Sequence, residues 1–162
     1  MFRHFSSKQA IWLAVLGWAA DLLMQRLRAA VETRRACSEG FNPLAALQDV
    51  FITHVDFVIA YPGVPRVVFQ ELQHAEETAL KAAVRSLMQQ YRALVLELLH
   101  CAQSQQLLAP ATDVPSAAVL FLGSVQGLVM QALVNGQVQS MAAQAPGVFA
   151  IYLRGITCKE NP

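Results

Sequence analysis

The chain has 162 residues, 55% of them hydrophobic and 14% charged. That length and composition exclude a disordered tail, a collagen-like repeat and a small disulfide-stapled scaffold, and they leave enough apolar mass for a real core. A net charge of +1 gives no whole-molecule attraction for nucleic acid.

Ser6 and Ser7 before Lys8-Gln9-Ala10-Ile11 form an N-cap signal, and no proline and only Gly17 follow up to Arg35, which predicts one long helix from Lys8 to about Arg35. Its apolar set Trp12, Val15, Leu16, Ala19, Leu22, Leu23, Leu27 and Ala30 repeats at three and four, so one wide face is expected to be buried. The apolar run that follows Arg3 and Lys8 imitates a signal peptide, yet no small-residue cleavage site ends it and Asp21 continues the helical pattern. Residues 1 to 36 hold six basic side chains against two acidic ones. That excess permits a local phosphate-facing surface, although Arg26, Arg28, Arg34 and Arg35 read rather as a solvated helix face.

Gly40, able to take positive φ, and Pro43, suited to a first helical position, mark a break and a second helix from Pro43 to about Ala60. Leu44, Leu47, Phe51, His54, Val55 and Val58 share one side of it, and Tyr61-Pro62-Gly63-Val64-Pro65 ends it. A short helix from Arg66 to about Gln73 is expected next. A long one follows from Glu76 to about Gln106, with Leu80, Val84, Leu87, Met88, Tyr91, Leu94, Val95 and Leu98 as core stripe and Glu76 and Glu77 in its first turn. Asp113 can cap the next helix, about Val114 to Gly136, with Pro115 in its first turn. A polar, small-residue link from Gln137 to Ala145 and Pro146-Gly147 lead to a last helix, about Val148 to Gly155. No strand-like alternation or fixed repeat occurs, so the class is all-α, a bundle of about six helices.

From Val114 to Leu153, 40 residues, there is no Asp, Glu, Lys or Arg. Either a membrane or a protein partner covers such a surface. Ala117 to Val134 is uncharged and contains Gly123-Ser-Val-Gln-Gly127, a GxxxG pattern that lets helices approach closely. Against a span stand Gln126 and Gln131 in its interior, the absence of basic flanks and aromatic belts, and the amphipathic neighbours. A homodimer interface through the last two helices is therefore the reading preferred, with Phe121, Val125, Leu128, Val129, Ala132, Val148, Phe149 and Tyr152 in or near the contact.

Three cysteines, Cys37, Cys101 and Cys158, form no CxxC and give no disulfide framework, which fits a reducing compartment. Catalysis finds no constellation. His54 and Asp56 do not share a helix face, His74 with Glu76 and Glu77 lacks the second histidine of a zinc-binding motif, and adjacent His100 and Cys101 point differently. No phosphate loop or nucleophile elbow occurs, and neither an enzymatic activity, a metal nor a cofactor is expected.

The opening residues Met1-Phe2-Arg3-His4-Phe5-Ser6-Ser7-Lys8-Gln9-Ala10-Ile11 resemble a junction of the tetracycline-repressor-like (TetR) family of bacterial transcriptional regulators. There a segment of the form Leu-Tyr-x-His-Phe-x-Ser/Thr-Lys-x-x-Leu/Ile ends the recognition helix of the helix-turn-helix and begins a long linking helix. His4, Phe5, Ser7, Lys8 and Ile11 match, and Phe2 replaces the usual tyrosine, removing its phosphate hydrogen bond. The later helix order is also similar to that family. The resemblance implies that residues 1–7 are a remnant of the DNA-binding domain and 8–162 an effector-binding and dimerisation domain. Arg3, His4 and Lys8 would be what is left of the DNA contact, and Phe5 a plug between the two domains. On that reading almost all of the DNA-binding domain is missing, through a misplaced gene start, truncation or proteolysis, and this chain alone should not read a groove.

The family's helices enclose an effector cavity. The helix faces of this sequence offer Phe51, His54 and Val58, then Phe69, then Met88, Tyr91 and Val95, and finally Gln126 and Met130. These groups suit an apolar or aromatic small molecule, with His54, Tyr91 and Gln126 as polar anchors, although such a stripe is also what an ordinary core contains. The expected protein is a cytoplasmic, homodimeric, ligand-responsive regulator, a repressor, meeting operator DNA only through the missing domain and no membrane. A dimerisation module without effector and a small membrane-associated helical protein are the alternatives.

Overall fold

The structure, a computed structural model, describes residues 8–36, 40–73 and 75–158, with side chains from Ala10 onward. Among the described residues the helices are α1 (Lys8–Arg35), α2 (Pro43–Ala60), α3 (Gly63–Leu72), α4 (Ala79–Ser104), α5 (Val114–Asn135) and α6 (Met141–Ile156), with a 3-10 turn at Val138–Ser140. Among the described residues there is no strand. The class is all-α, as the periodicity implies.

Side-chain caps set the starts of three helices. Asn42 Oδ1 accepts from the backbone N–H groups of Leu44 and Ala45 at 3.0 and 3.1 Å, ahead of Pro43. Asp113 Oδ2 accepts from Ser116 N at 2.9 Å, and these hydrogen bonds hold its carboxyl below the usual range. Thr78 Oγ1 accepts from Lys81 N at 3.1 Å, so α4 starts after Glu76 and Glu77 rather than with them. Gly136 closes α5 in the left-handed region at φ +66.

The last helix differs most from expectation. α6 begins at Met141, seven residues before the predicted start, and Pro146 lies inside it. A proline there gives up one backbone hydrogen bond but already has a helical φ, so the chain passes through where the sequence rule expects a stop. The polar link shrinks to the 3-10 turn. Similarly, α3 starts at Gly63, three residues early, with Pro65 in its first turn.

α2 is the central helix, packed against α1, α4, α5 and α6. Its Leu47, Val50, Phe51, Val55, Phe57 and Val58 are all buried. An aromatic group fills the core between α2, α4, α5 and α6, with Phe51 and Phe121 edge to face at 5.5 Å and Phe121 and Tyr152 at 5.6 Å. Tyr152 donates its hydroxyl to the backbone oxygen of Ala117 at 3.1 Å, joining α6 to α5. The backbone N–H of Ala109 and the hydroxyl of Thr112 donate to the oxygen of Ile156, so the α4–α5 loop caps the end of α6.

Two ion pairs and a stacked guanidinium fasten α1. Arg34 binds Asp49 of α2 through two nitrogens at 2.7 and 2.9 Å, and Arg35 meets Glu97 of α4 at 2.6 Å. Arg26 stacks on the rings of Phe57 and Tyr61. These three arginines therefore serve contacts inside the chain, and Arg28 is left exposed. The first turns of α1 are less well covered than the sequence stripe implies, because Trp12 and Val15 are exposed together with Trp18.

Three helical segments, Ala10–Arg35, Pro43–Ala60 and Val114–Asn135, are long and apolar enough to cross a membrane by length and composition. For α2 that apolarity has another cause, since helices surround it on most sides.

Candidate functional site

A cavity of about 210 Å³ opens among α1, α2, α3, α4 and α5. α2 contributes His54, Phe57 and Val58, spaced three and four apart and hence on one face. α3 contributes Val64, Pro65, Val68, Phe69 and Leu72, again one face, while α4 adds Val84, Leu87 and Met88, α5 adds Gln126 and Val129, and α1 adds Leu23. Of these lining residues only His54 and Gln126 carry a polar side chain, and none carries a formal charge.

His54 is half-buried and its Nδ1 lies 3.1 Å from the hydroxyl of Tyr91, which is fully buried behind it. Burial lowers the imidazole pKa from 6.5 to about 4 and raises that of the phenol, so near neutral pH both groups are uncharged. The hydroxyl of Tyr91 has His54 as its polar partner, and the two rings stand 5.3 Å apart. Gln126 sits exposed at the rim, its amide donating to Met88 Sδ at 3.4 Å. Beyond Gln126 and Met88 lies an open surface cleft that includes Arg85 and Arg92, the former paired with Glu77 at 2.7 Å.

α3 forms one wall and none of its residues is buried. Its inner face borders the cavity, and its other side, through Gly63 and Val67, borders a groove that holds Trp12, Val15, Trp18 and Tyr61, with Val64 lining both. A helix between two hollows has little to pack on. Its hold on the bundle includes a limited seam with α4, a hydrogen bond from the hydroxyl of Thr78 to Glu71, and the partly buried Val64, Val68 and Phe69 packed on the core.

No protein-family model matches the chain, and no curated protein is similar to it in sequence. Solved structures do match. The transcriptional regulator FadR of Bacillus subtilis, solved in complex with stearoyl-CoA, is similar with a TM-score of 0.78 at 16% identity, over 96% of this chain and 80% of its own. A TetR transcriptional regulator of Chloroflexus aurantiacus gives 0.70 at 17%, over 97% and 78%. The ketosteroid transcriptional regulator KstR2 of Mycobacterium tuberculosis gives 0.75 at 22%, over 98% and 77%. The fold is TetR-like. At these identities the likeness concerns the fold, so the residues of the site are argued from their own geometry.

Within this TetR-like fold, five of the nine residues expected around an effector line the cavity: His54, Val58, Phe69, Met88 and Gln126. Phe51 and Val95 are buried in the core and Tyr91 stands behind His54, so these three do not reach the open space. Met130 is exposed on the outside of α5. Phe57, Leu87, Val84 and the α3 valines were missed. Phe57, three after His54, and Val84, four before Met88, carried that signal, and the early start of α3 hid Val64.

The residues expected in or near a dimer contact are placed inward. Phe121, Val125, Leu128, Val129, Ala132, Phe149 and Tyr152 are buried within this one chain, Val129 borders the cavity, and Val148 is half-buried against the core. α5 carries no charge and is largely apolar, so its period does not distinguish the face turned to its own core from the outward one. The outward apolar residues are Val119, Leu120, Met130 and Val134 on α5 and Ile151 on α6. Arg3, His4 and the side chain of Lys8 lie outside the described residues, as does His74. Among the described residues no group of three or more His, Cys, Asp or Glu could hold a metal ion.

Proposed function

We propose that this chain is the effector-binding and dimerisation part of a cytoplasmic, ligand-responsive transcriptional regulator, most simply a repressor and not an enzyme. The observation that carries the reading is the cavity itself, an apolar space whose only polar side chains are a neutral histidine and a rim glutamine. A small apolar or aromatic molecule fits that chemistry. The TetR-like fold supports it by analogy, since the similar FadR structure holds stearoyl-CoA and the similar KstR2 is described as a ketosteroid regulator.

The wall made by α3 supplies a means of response. A ligand that fills the cavity adds contacts to a helix that has no buried residue of its own, so it favours one placement of α3 over others. Such a ligand shifts the population only by its difference in affinity between the two states. Reading an operator is assigned to a helix-turn-helix, which the described residues do not contain, and two copies of the chain would hold two such heads at a spacing the ligand alters.

Pairing of two copies is supported by the outward residues of α5 and α6. A Cβ added at Gly123, Gly127 or Gly147 would meet nothing within 4 Å inside the chain. Helical Gly17 and Gly155 are equally open, so these glycines leave room for a close partner helix without requiring one.

Binding of a neutral dye such as Nile red, and its displacement by apolar compounds, tests the cavity. Met88→Trp, which fills it from α4, should abolish dye binding while the helical circular dichroism remains. Undiminished binding in that variant would place the ligand elsewhere.

A further inference from the structure

The cavity has one buried polar feature, and its hydrogen-bonding direction can be derived. Tyr91 is fully buried and its phenol stays protonated, so it brings one O–H donor whose polar partner is His54 Nδ1 at 3.1 Å. A buried hydroxyl with a single nitrogen partner donates to it, which requires Nδ1 to be the unprotonated nitrogen. In a neutral imidazole the proton then resides on Nε2. Nε2 has no hydrogen-bond partner among the described residues, yet it is not among the buried unpartnered atoms, so it keeps accessible surface. The open space that His54 borders is the cavity.

Resting on the reading of this cavity as an effector site, we propose that the effector is an uncharged molecule with a hydrogen-bond acceptor, a ketone, ester or similar carbonyl, that receives the Nε2 proton of His54. A donor surrounded by apolar walls selects an acceptor, because a ligand without one leaves the N–H unpaired once water is displaced. It does not select an anion. No Arg or Lys lines the cavity, and a carboxylate brought inside would lose its hydration for a single neutral donor. Arg85 and Arg92 belong to the surface cleft beyond Met88 and Gln126. Tyr91 is then a positioning residue, fixing the tautomer without touching the ligand.

Two measurements on the unmodified protein test this. The nitrogen chemical shifts of 15N-labelled His54 should show Nε2 protonated and Nδ1 bare around neutral pH; the reverse tautomer overturns the proposal. Benzylacetone should displace Nile red at about three- to tenfold lower concentration than its isostere bearing CH2 in place of the carbonyl oxygen, the range expected for one neutral hydrogen bond. It should also outcompete hydrocinnamate. Equal binding of ketone and isostere, or preference for the carboxylate, overturns the proposal while dye binding keeps the effector site itself. Failure of the dye and of all three compounds to bind removes both. Tyr91→Phe should mix the two tautomers and shrink the ketone preference without changing affinity for the isostere, an effect that loss of packing alone would not produce.

Discussion

His54 shows how one side chain can bear on both stability and recognition. Burial keeps its imidazole neutral, with the pKa lowered from 6.5 to about 4. In the unfolded chain the ring takes up a proton below about pH 6.5, whereas in the fold it resists until about pH 4, so between those values the unfolded state binds more protons. The stability linked to the neutral ring is complete above pH 6.5 and is lost as the pH falls from 6.5 to 4, by on the order of 2–3 kcal/mol once partial access to water is allowed for. Carboxylates titrate in part of the same window, so the comparison of interest is with His54→Gln. Urea unfolding at about pH 7 and about pH 4.5 should show a stability loss in the natural chain that exceeds that of the variant by roughly this amount. Parallel losses would mean that the ring is not held neutral. Little of this was legible beforehand. Placing His54 on the inner face of a helix follows from periodicity, but its pairing with Tyr91, 37 positions away, depends on how α2 and α4 pack.

Among the helices, legibility follows the local signals. α2 has the expected bounds because Pro43 and the Tyr61-Pro62-Gly63 break act within the helix's own ends. α6 extends beyond its expected start because Pro146-Gly147 imitates punctuation, and packing on α2 and α5 carries the helix through it. α3 is the element whose behaviour matters most for the proposed response. With no buried residue, no side-chain cap at its start and a hollow on either side, it lies at the low end of local stability in this fold. Hydrogen exchange read by mass spectrometry should therefore find the amides of α3 faster than those of α2 by at least an order of magnitude, with a cavity ligand slowing α3 selectively. Protection of α3 equal to that of α2 in the free protein would argue against its being the responsive wall.

At the scale of the molecule, the charge-free stretch from Val114 to Leu153 now divides into two faces with different roles. The inward face of α5 and α6 belongs to the aromatic core, where Phe121 links Tyr91 on the cavity side to Phe149 and Tyr152 on α6. The outward face carries Val119, Leu120, Met130, Val134 and Ile151 with no charge among them, and Val134 is 77% exposed and Ile151 64%. A lone subunit would present this apolar surface to water at a cost that scales with its area. Two-fold pairing of the same face with itself would cover it, as an isologous interface does. An arginine introduced at its centre would meet its own copy across the axis, adding like-charge repulsion to a lost apolar contact. Ile151→Arg should accordingly convert a dimer into a monomer in sedimentation velocity at micromolar concentration. Its melting temperature should then lose any dependence on protein concentration, which dimer formation imposes and a folded monomer lacks. Phe149→Leu, two positions away but inside the core, should instead lower stability without changing the oligomeric state. A dimer unaffected by Ile151→Arg would move the interface off α6, and a natural chain that sediments as a monomer would leave the exposed apolar face to some other partner.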